Sequence, residues 1–412
     1  MKKMIHGKMK MMMMTMFALV LASNVMAQTW AIGNRVITFV DPTRGNRQIE
    51  TMIFYPSDVT GTLVPLGSPS DKKFPVIVFG HGEEISWNNY QYLWDRLVMK
   101  GFILAIPLTE AGANPDVTEF AKDLAFVASQ FTTMRYDPTS FFYKRHNSKS
   151  CVMGHGMGGG AATLAVQYNP AITILVTLAA TETVPSAIAA ASNITIPSLI
   201  IGGGEDCVSP IGSNQMPMFN NLASDCKAFI NLLDASHCNF AQNAGACTAN
   251  EVLCTGFPTS YQSTNYATTY FAVSFMRYYM KSNAPALAKF EWKLQQKKNI
   301  TYIFSCGANA PRFSGDEDDN SEFNDFAVTE MKMYPNPVLS GNFANFTFMS
   351  DVESEATIYI TNMIGQTVIQ KNIFVDEDMN EISLPVENIK PGYYMVTIAN
   401  EGGKISKPLV IQ

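Results

Sequence analysis

The sequence predicts an α/β fold, a mostly parallel sheet with helices on both faces, followed by a small all-β sandwich. Three observations carry this. Strand-like and helix-like patterns alternate from residue 28 to about 306. A polar, acidic stretch free of most aliphatics fills 307–326. Short alternating strands separated by Asn, Gly, Asp and Pro turns then run through 327–412. A chain of 412 residues suits two domains, and with 47% apolar and 16% charged residues it buries a sizeable core.

The N-terminus reads as an export signal over 1–27. Lys2, Lys3, Lys8 and Lys10 form its charged region, Met11 to Ala22 its apolar region, and Val25-Met26-Ala27 precedes a cut before Gln28. The apolar run of 12 residues is well short of the ~20 that span a bilayer. The formal charge is −6, and since the signal carries four lysines and no acid, the rest of the chain stands at −10. That balance excludes the basic footprint of a nucleic-acid-binding protein and gives no attraction to an anionic membrane. All seven cysteines (151, 207, 226, 238, 247, 254 and 306) lie in the middle of the chain. In an exported protein they imply disulfides with one thiol left over, and Cys247 with Cys254 and Cys207 with Cys238 are the expected pairs. No CxxC pair suggests zinc, and neither a metal nor an organic cofactor is implied.

Taken in order, Thr51 to Pro56 is an early strand ended by its proline, and Pro75 to Phe79 is a continuous apolar strand. Asn88 to Lys100 is a helix with Tyr92, Leu93, Leu97 and Val98 on one face and Gly101 as its stop. Phe102 to Pro107 is the next strand and Asp116 to Phe131 the next helix. Ser150 to Met153 is a short buried strand, with a helix from Ala161 to Tyr168 after it. Further strands run near Ile172 to Leu178, Ser198 to Ile201 and Lys227 to Leu233, and a long helix, Tyr266 to Met280, closes the domain. The 307–326 stretch is a solvated linker. Its Asp316, Asp318, Asn320 and Glu322 resemble a calcium loop but lack the required spacing and glycine. Beyond it, strands fall at Ala344 to Phe348, Ala356 to Thr361, Gly392 to Ile398 and Ile405 to Ile411.

The chemistry concentrates after Met153. A strand running into a glycine-flanked residue and then a helix is a nucleophile elbow, G-x-S-x-G in sequence terms, the mark of the α/β-hydrolase fold. Here the pentapeptide is Gly154-His155-Gly156-Met157-Gly158, with glycine at the tip. The remaining parts follow in the chain order of that fold. Asp206, at the end of Ile200 to Glu205, would orient an imidazole, and His237 would be the general base. The backbone N–H groups of Met157 and of Glu83, in Gly80-His81-Gly82-Glu83, would form the oxyanion hole. A glycine cannot attack a carbonyl, and no substitute stands out: Cys151 lies back in the strand and Ser236 lacks the elbow geometry. His155 and His81 read as packing and loop-shaping residues, and Trp87, Tyr90, Tyr92 and Trp94 equally as helix core or as a substrate platform.

Val152 to Gly160 resembles the elbow of bacterial cutinases and poly(ethylene terephthalate) hydrolases, V-M-G-H-S-M-G-G-G. The likeness extends to Ile53 to Pro56, Leu93 to Phe102, Pro197 to Asp206 and Pro217 to Leu222, and covers roughly 35 to 300; plant chlorophyllases share the scaffold. The resemblance implies a carboxylic-ester hydrolase with three departures. Gly156 stands for the family's serine, Glu83 for its oxyanion-hole tyrosine, and Thr181 for the tryptophan that polyester hydrolases place in the substrate cleft. The last two argue against an aromatic polyester. In the C-terminal region, Tyr334-Pro335-Asn336-Pro337, Lys390 to Tyr394 and Lys407-Pro408-Leu409-Val410 resemble the sorting domain of the Bacteroidota type IX secretion system. That resemblance implies export to the cell surface or medium, with 327–412 engaging the secretion machinery; a carbohydrate-binding or Ig-like appendage is the alternative. The expected domains are therefore 1–27 signal, 28–306 hydrolase, 307–326 linker and 327–412 sorting module, in a chain expected to be monomeric. Its partner would be a small-molecule or polymeric ester. Three functional readings stay open: an ester hydrolase whose serine is lost, a pseudoenzyme that binds without turnover, and water-mediated hydrolysis through His237.

Overall fold

The computed structural model describes residues 30–306, apart from 253, 255–259 and 298, and residues 328–412, apart from 351–353, 376–377, 388 and 401–402. The expected signal and linker, with its calcium-loop-like acids, lie outside the described residues. The chain divides into two compact units, one α/β and one all-β.

The α/β unit is built on one ten-stranded sheet in the order β10-β9-β8-β7-β6-β4-β5-β2-β1-β3. Its middle is parallel: β5 (Ile103–Pro107), β4 (Phe74–Gly80), β6 (His146–His155), β7 (Ile174–Leu178), β8 (Ser198–Gly203) and β9 (Cys226–Leu232). Antiparallel strands flank it, β2 (Arg47–Ser57) and β1 (Ala31–Asp41) on one side and β10 (Ile300–Cys306) on the other; β3 (Gly61–Thr62) pairs with β1 at the outer edge.

A strand covered on both faces has no polar side, so β4 is apolar at every position before Gly80, with Ile77 and Phe79 in one core and Val76 and Val78 in the other. The first core is closed by α1 (Gln91–Leu97), α7 (Tyr261–Lys281) and α8 (Pro285–Gln296), through Leu93, Leu97, Phe271, Phe275 and Phe290. The second is closed by α2 (Val117–Met134), α3 (Met157–Tyr168), α4 (Ala187–Ala191) and α5 (Gln215–Asn221), through Phe120, Leu124, Leu164, Ala187 and Phe219. Asp116 caps α2, accepting the Glu119 N–H at 3.0 Å.

Three expectations need correction. Pro56 does not end its strand, which runs on to Ser57. The Pro56 carbonyl accepts from Gly67 on the side away from β1, beyond the last residue paired with β5, so no ladder bond needs the N–H that proline lacks. The long helix does not close the unit either: α8 and then β10 follow, and β10 adds an antiparallel edge to β9. The disulfides are Cys207–Cys254, Cys226–Cys306 and Cys238–Cys247, with buried Cys151 left over, so neither expected pair forms. Cys226 and Cys306 are register partners on β9 and β10, a proximity created by the sheet across 80 residues of chain.

The turn between β1 and β2 is fastened to α2 by buried charge. Asp123, fully buried, accepts from Arg47 Nε at 2.9 Å and from the Thr109 hydroxyl at 2.6 Å, and pairs with Arg44 at 2.7 Å. The Asp123 carboxylate, more than any other group, raises the Arg47 guanidinium pKa. Asp123→Ala leaves these cations short of a counter-charge and is expected to lower stability by about 3 kcal/mol in chemical denaturation.

His146 predicts the acid response. It is buried at the start of β6 with Nε2 3.0 Å from the Lys149 carbonyl, and burial lowers its pKa to about 4. Below the unfolded value of ~6.5 the unfolded chain takes up a proton that the folded chain refuses, so stability is complete above ~6.5 and falls as pH drops towards the folded value. The loss amounts to about 3 kcal/mol, because each pH unit separating the two values is worth roughly 1.36 kcal/mol. His146→Gln should flatten that part of a stability–pH curve measured by urea denaturation.

The all-β unit pairs the sheet β11-β12-β15 with the sheet β14-β13-β16-β17. These strands are β11 (Val328–Tyr334), β12 (Phe343–Ser350), β13 (Ser354–Asn362), β14 (Thr367–Val375), β15 (Asp378–Pro385), β16 (Gly392–Asn400) and β17 (Gly403–Ile411). Phe346, Phe348 and Leu384 from one sheet meet Ile358, Ile360, Val396 and Leu409 from the other in a shared core. The motif at 334–337 touches the one at 407–410: the Asn336 amide donates to the Pro408 carbonyl at 3.0 Å and accepts the Val410 N–H at 2.9 Å, while Val338 bridges to Ile411.

Candidate active site

Five parallel strands, β4 and β6 to β9, lead at their carboxyl ends into the site residues, where ligands collect in open α/β sheets. β6 ends at His155, Gly156 follows with φ 55° and ψ −122°, and α3 begins at Met157. That backbone lies in a region L side chains enter only under strain, and it is anchored on all sides. The Gly156 N–H donates to the Leu178 carbonyl, and the Gly156 carbonyl accepts from Gly159, Gly160 and Thr181. Gly158 permits the close turn, since a Cβ there would lie 2.2 Å from the Gly80 carbonyl oxygen.

Asp206 follows β8 and is buried. Its Oδ1 accepts the backbone N–H groups of Val208 at 3.0 Å and Ser209 at 2.7 Å, and its Oδ2 faces His237 Nδ1 at 2.8 Å. His237 follows β9 and is also buried. With Nδ1 donating to the carboxylate, Nε2 is the free, basic nitrogen. It points at the elbow: a Cβ built on Gly156 would lie 2.9 Å from His237 Nε2 and 3.9 Å from Thr181 Oγ1. Gly156, Asp206, His237 and Thr181 therefore converge. The Thr181 hydroxyl is bonded to Ser209 Oγ at 2.6 Å, which ties the loop after β7 to the acid's own loop.

Met157 opens α3, so its N–H is one of the helix's unpaired first-turn donors and stands at the positive end of the helix dipole. Glu83 lies in the loop after β4 with its side chain exposed, next to Gly82. That loop is held by His81, whose Nδ1 and Nε2 lie 2.9 and 3.0 Å from the carbonyls of Gly82 and Thr109.

His155 reads in sequence as a packing residue and Tyr90 equally as core or as substrate platform; the structure buries both and gives each a polar role. The Gly82 N–H donates to the Tyr90 hydroxyl at 2.9 Å, that hydroxyl lies 2.9 Å from His155 Nδ1, and His155 Nε2 lies 3.1 Å from the His237 carbonyl. A carbonyl only accepts, so Nε2 carries the hydrogen, Nδ1 accepts from Tyr90, and the tyrosine oxygen accepts from Gly82. One chain of bonds thus runs from the loop after β4 through the elbow to the loop of His237. Burial, reinforced by the neighbouring His237, holds the His155 pKa well below the usual histidine value, so the ring stays neutral. Trp94 stacks on Phe54 at 4.2 Å and joins the first core, while Tyr92 donates to the Phe240 carbonyl. Burial likewise drives the Cys151 thiol pKa well above its ordinary value, which denies the site a thiolate. Among the described residues no group of three or more His, Cys, Asp or Glu side chains is arranged to hold a metal ion.

Comparison with known proteins agrees with this geometry. A profile described as PET hydrolase-like matches residues 35–255, and one described as a secretion system C-terminal sorting domain matches 332–412. Cutinase est1 of Thermobifida alba is 28% identical over 173 residues, 41% of this chain and 55% of its own length. The bis(hydroxyethyl) terephthalate hydrolase of Streptomyces coelicolor is 25% identical over 178 residues, 43% and 54% of the two chains. Cutinase 1 of Thermobifida cellulosilytica is 33% identical over 98 residues, 24% and 35% of the two chains. The chain thus spans about half the length, or less, of these relatives. With its parallel sheet, elbow and Asp206–His237 pair in place, the chain belongs to the PET hydrolase-like family and carries a type IX secretion sorting domain at its C-terminus.

Proposed function

We propose that the α/β unit is a carboxylic-ester site of the cutinase type, with acid, base and oxyanion donors placed for acyl transfer and a glycine at the nucleophile position. The carrying observation is directional. His237 Nε2, its other nitrogen bonded to Asp206 at 2.8 Å, faces the point from which a side chain at residue 156 would project. In the serine version of this site, His237 takes the hydroxyl proton as oxygen attacks the ester carbonyl. The Met157 and Glu83 N–H groups hold the oxyanion, and His237 returns the proton to the leaving alcohol. With Gly156 no acyl-enzyme forms. Gly156→Ser tests the reading: hydrolysis of a short-chain 4-nitrophenyl ester by the variant supports it, and an inert, folded variant contradicts it.

A second reading has its own observation. The 2.9 Å between Nε2 and the Cβ position is closer than a real Cβ tolerates, so the imidazole is seated for a glycine. This favours an ester-binding protein without covalent turnover, and Glu83 beside the oxyanion donors points the same way, since its charge opposes an oxyanion. Any hydrolysis by the native chain then proceeds by His237 activating water directly. Residues 1–27 would take the chain to the periplasm and the sorting module across the outer membrane, giving a secreted or surface-held, monomeric protein that acts on small or polymeric esters. Among the described residues no helix is long and apolar enough to cross a membrane.

A further inference from the structure

Each member of the Asp206–His237 pair is followed by a cysteine, and both cysteines are bonded to one short segment. Cys207 joins Cys254, and Cys238 joins Cys247. Between these anchors lie the end of α6 (Gly245–Asn250) and Glu251. The Glu251 carboxylate accepts the Cys238 N–H at 2.8 Å through Oε1 and the Ser236 hydroxyl at 3.1 Å through Oε2. These two donors stand immediately before and after His237 in the chain, and both residues are buried. The histidine loop has no sheet ladder of its own, only a 3₁₀ turn over Cys238–Phe240, so its shape depends on such side-chain bonds.

We propose that Glu251 is the positioning residue of this site: its carboxylate, held in place by the two disulfides around it, grips the Ser236 hydroxyl and the Cys238 N–H on either side of His237 and fixes the imidazole against Asp206. The His155 bond holds the His237 carbonyl, between the two groups that Glu251 accepts from. Glu251 holds both donors at once and so restrains the segment that carries the imidazole. The role is one of hydrogen-bond geometry, which separates the variants. Glu251→Gln keeps both bonds, its amide oxygen accepting from Cys238 and its amide nitrogen donating to the Ser236 oxygen. Glu251→Ala loses both, and Glu251→Asp is one methylene too short to span them.

The test reads the His237 Nδ1 proton as a low-field NMR resonance in the native-sequence protein, and esterase kinetics in the Gly156→Ser background. The resonance should persist in Glu251→Gln and disappear or move to higher field in Glu251→Ala. In the Gly156→Ser background, Glu251→Ala should lower kcat about 10- to 100-fold with KM within ~3-fold, since small misplacements of a reacting group cost rate on this scale. Glu251→Gln should stay within ~3-fold of its parent. Where Glu251→Ala does not fold, Glu251→Asp is expected to show the same losses. An unchanged resonance and kcat in Ala or Asp overturns the proposal, as does a Gln variant as impaired as Ala. The kinetic arm rests on the ester-site reading, whereas the resonance does not: an inert Gly156→Ser protein would remove that reading and leave Glu251 to be judged by the proton alone.

Discussion

Gly156→Ser is expected to raise hydrolysis of 4-nitrophenyl butyrate at least ~10³-fold over the native chain, because loss of the nucleophile alone costs a serine hydrolase about 10⁶ in turnover. The expectation falls short of that full factor for a geometric reason. The new Cβ meets His237 Nε2 at 2.9 Å, so the imidazole must withdraw by a few tenths of an ångström before the hydroxyl and Nε2 can share a proton. The obstacle is the tip of an imidazole bonded to Asp206, so it withdraws only at some cost to that bond. The same substitution places an L side chain at φ 55°, and the variant is expected to be less stable than its parent by about 1–3 kcal/mol. Initial rates and a denaturation curve on the two proteins check both halves. A gain in activity with a loss of stability is the signature of a strained elbow refitted with its nucleophile.

In that serine background, Asp206→Asn should lower kcat about 10⁴-fold with little change in fold. Asp206 Oδ1 is committed to the N–H groups of Val208 and Ser209, so an asparagine keeps its carbonyl oxygen there and turns its NH₂ towards His237 Nδ1. Nδ1 must then accept, which puts the ring hydrogen on Nε2, the nitrogen that has to receive the nucleophile's proton. Steady-state kinetics beside circular dichroism would separate this tautomer effect from unfolding; a loss below tenfold would mean that the pair does not work as a base and its orienter.

How much of this could be read from sequence depends on how local each requirement is. The elbow is legible because its glycines answer requirements of the turn itself: Gly154 against the Gly158 carbonyl four residues on, and Gly156 at its positive φ. Asp206 and His237 are legible because the sheet's order places the residues after β8 and β9 at one edge, and chain order alone carries that information. The disulfides are not legible. The segment carrying Cys247 and Cys254 folds over two loops, and nothing in the spacing says which cysteine meets which. Strand β10 was hidden for a similar reason: as an edge strand with exposed Tyr302 and Ile303 it lacks a clean two-residue alternation. His155 reads as packing in sequence and Tyr90 as core or platform alike; both are buried, and their hydrogen-bond partners, the His237 carbonyl and Gly82, come from loops brought near by folding. Glu251 sits in a polar stretch that gives no signal, and its role comes entirely from the two donors beside His237.

On the proposed reading, one side chain separates this site from a working serine hydrolase. Intact-mass measurement after treatment with a fluorophosphonate tests it most directly, because the reagent reacts only with a nucleophile already activated by a base and faced by oxyanion donors. The native protein should remain unmodified, and Gly156→Ser should gain one adduct, lost again on His237→Ala. A folded Gly156→Ser protein that stays unlabelled, or a native chain that labels at another residue, would contradict the account.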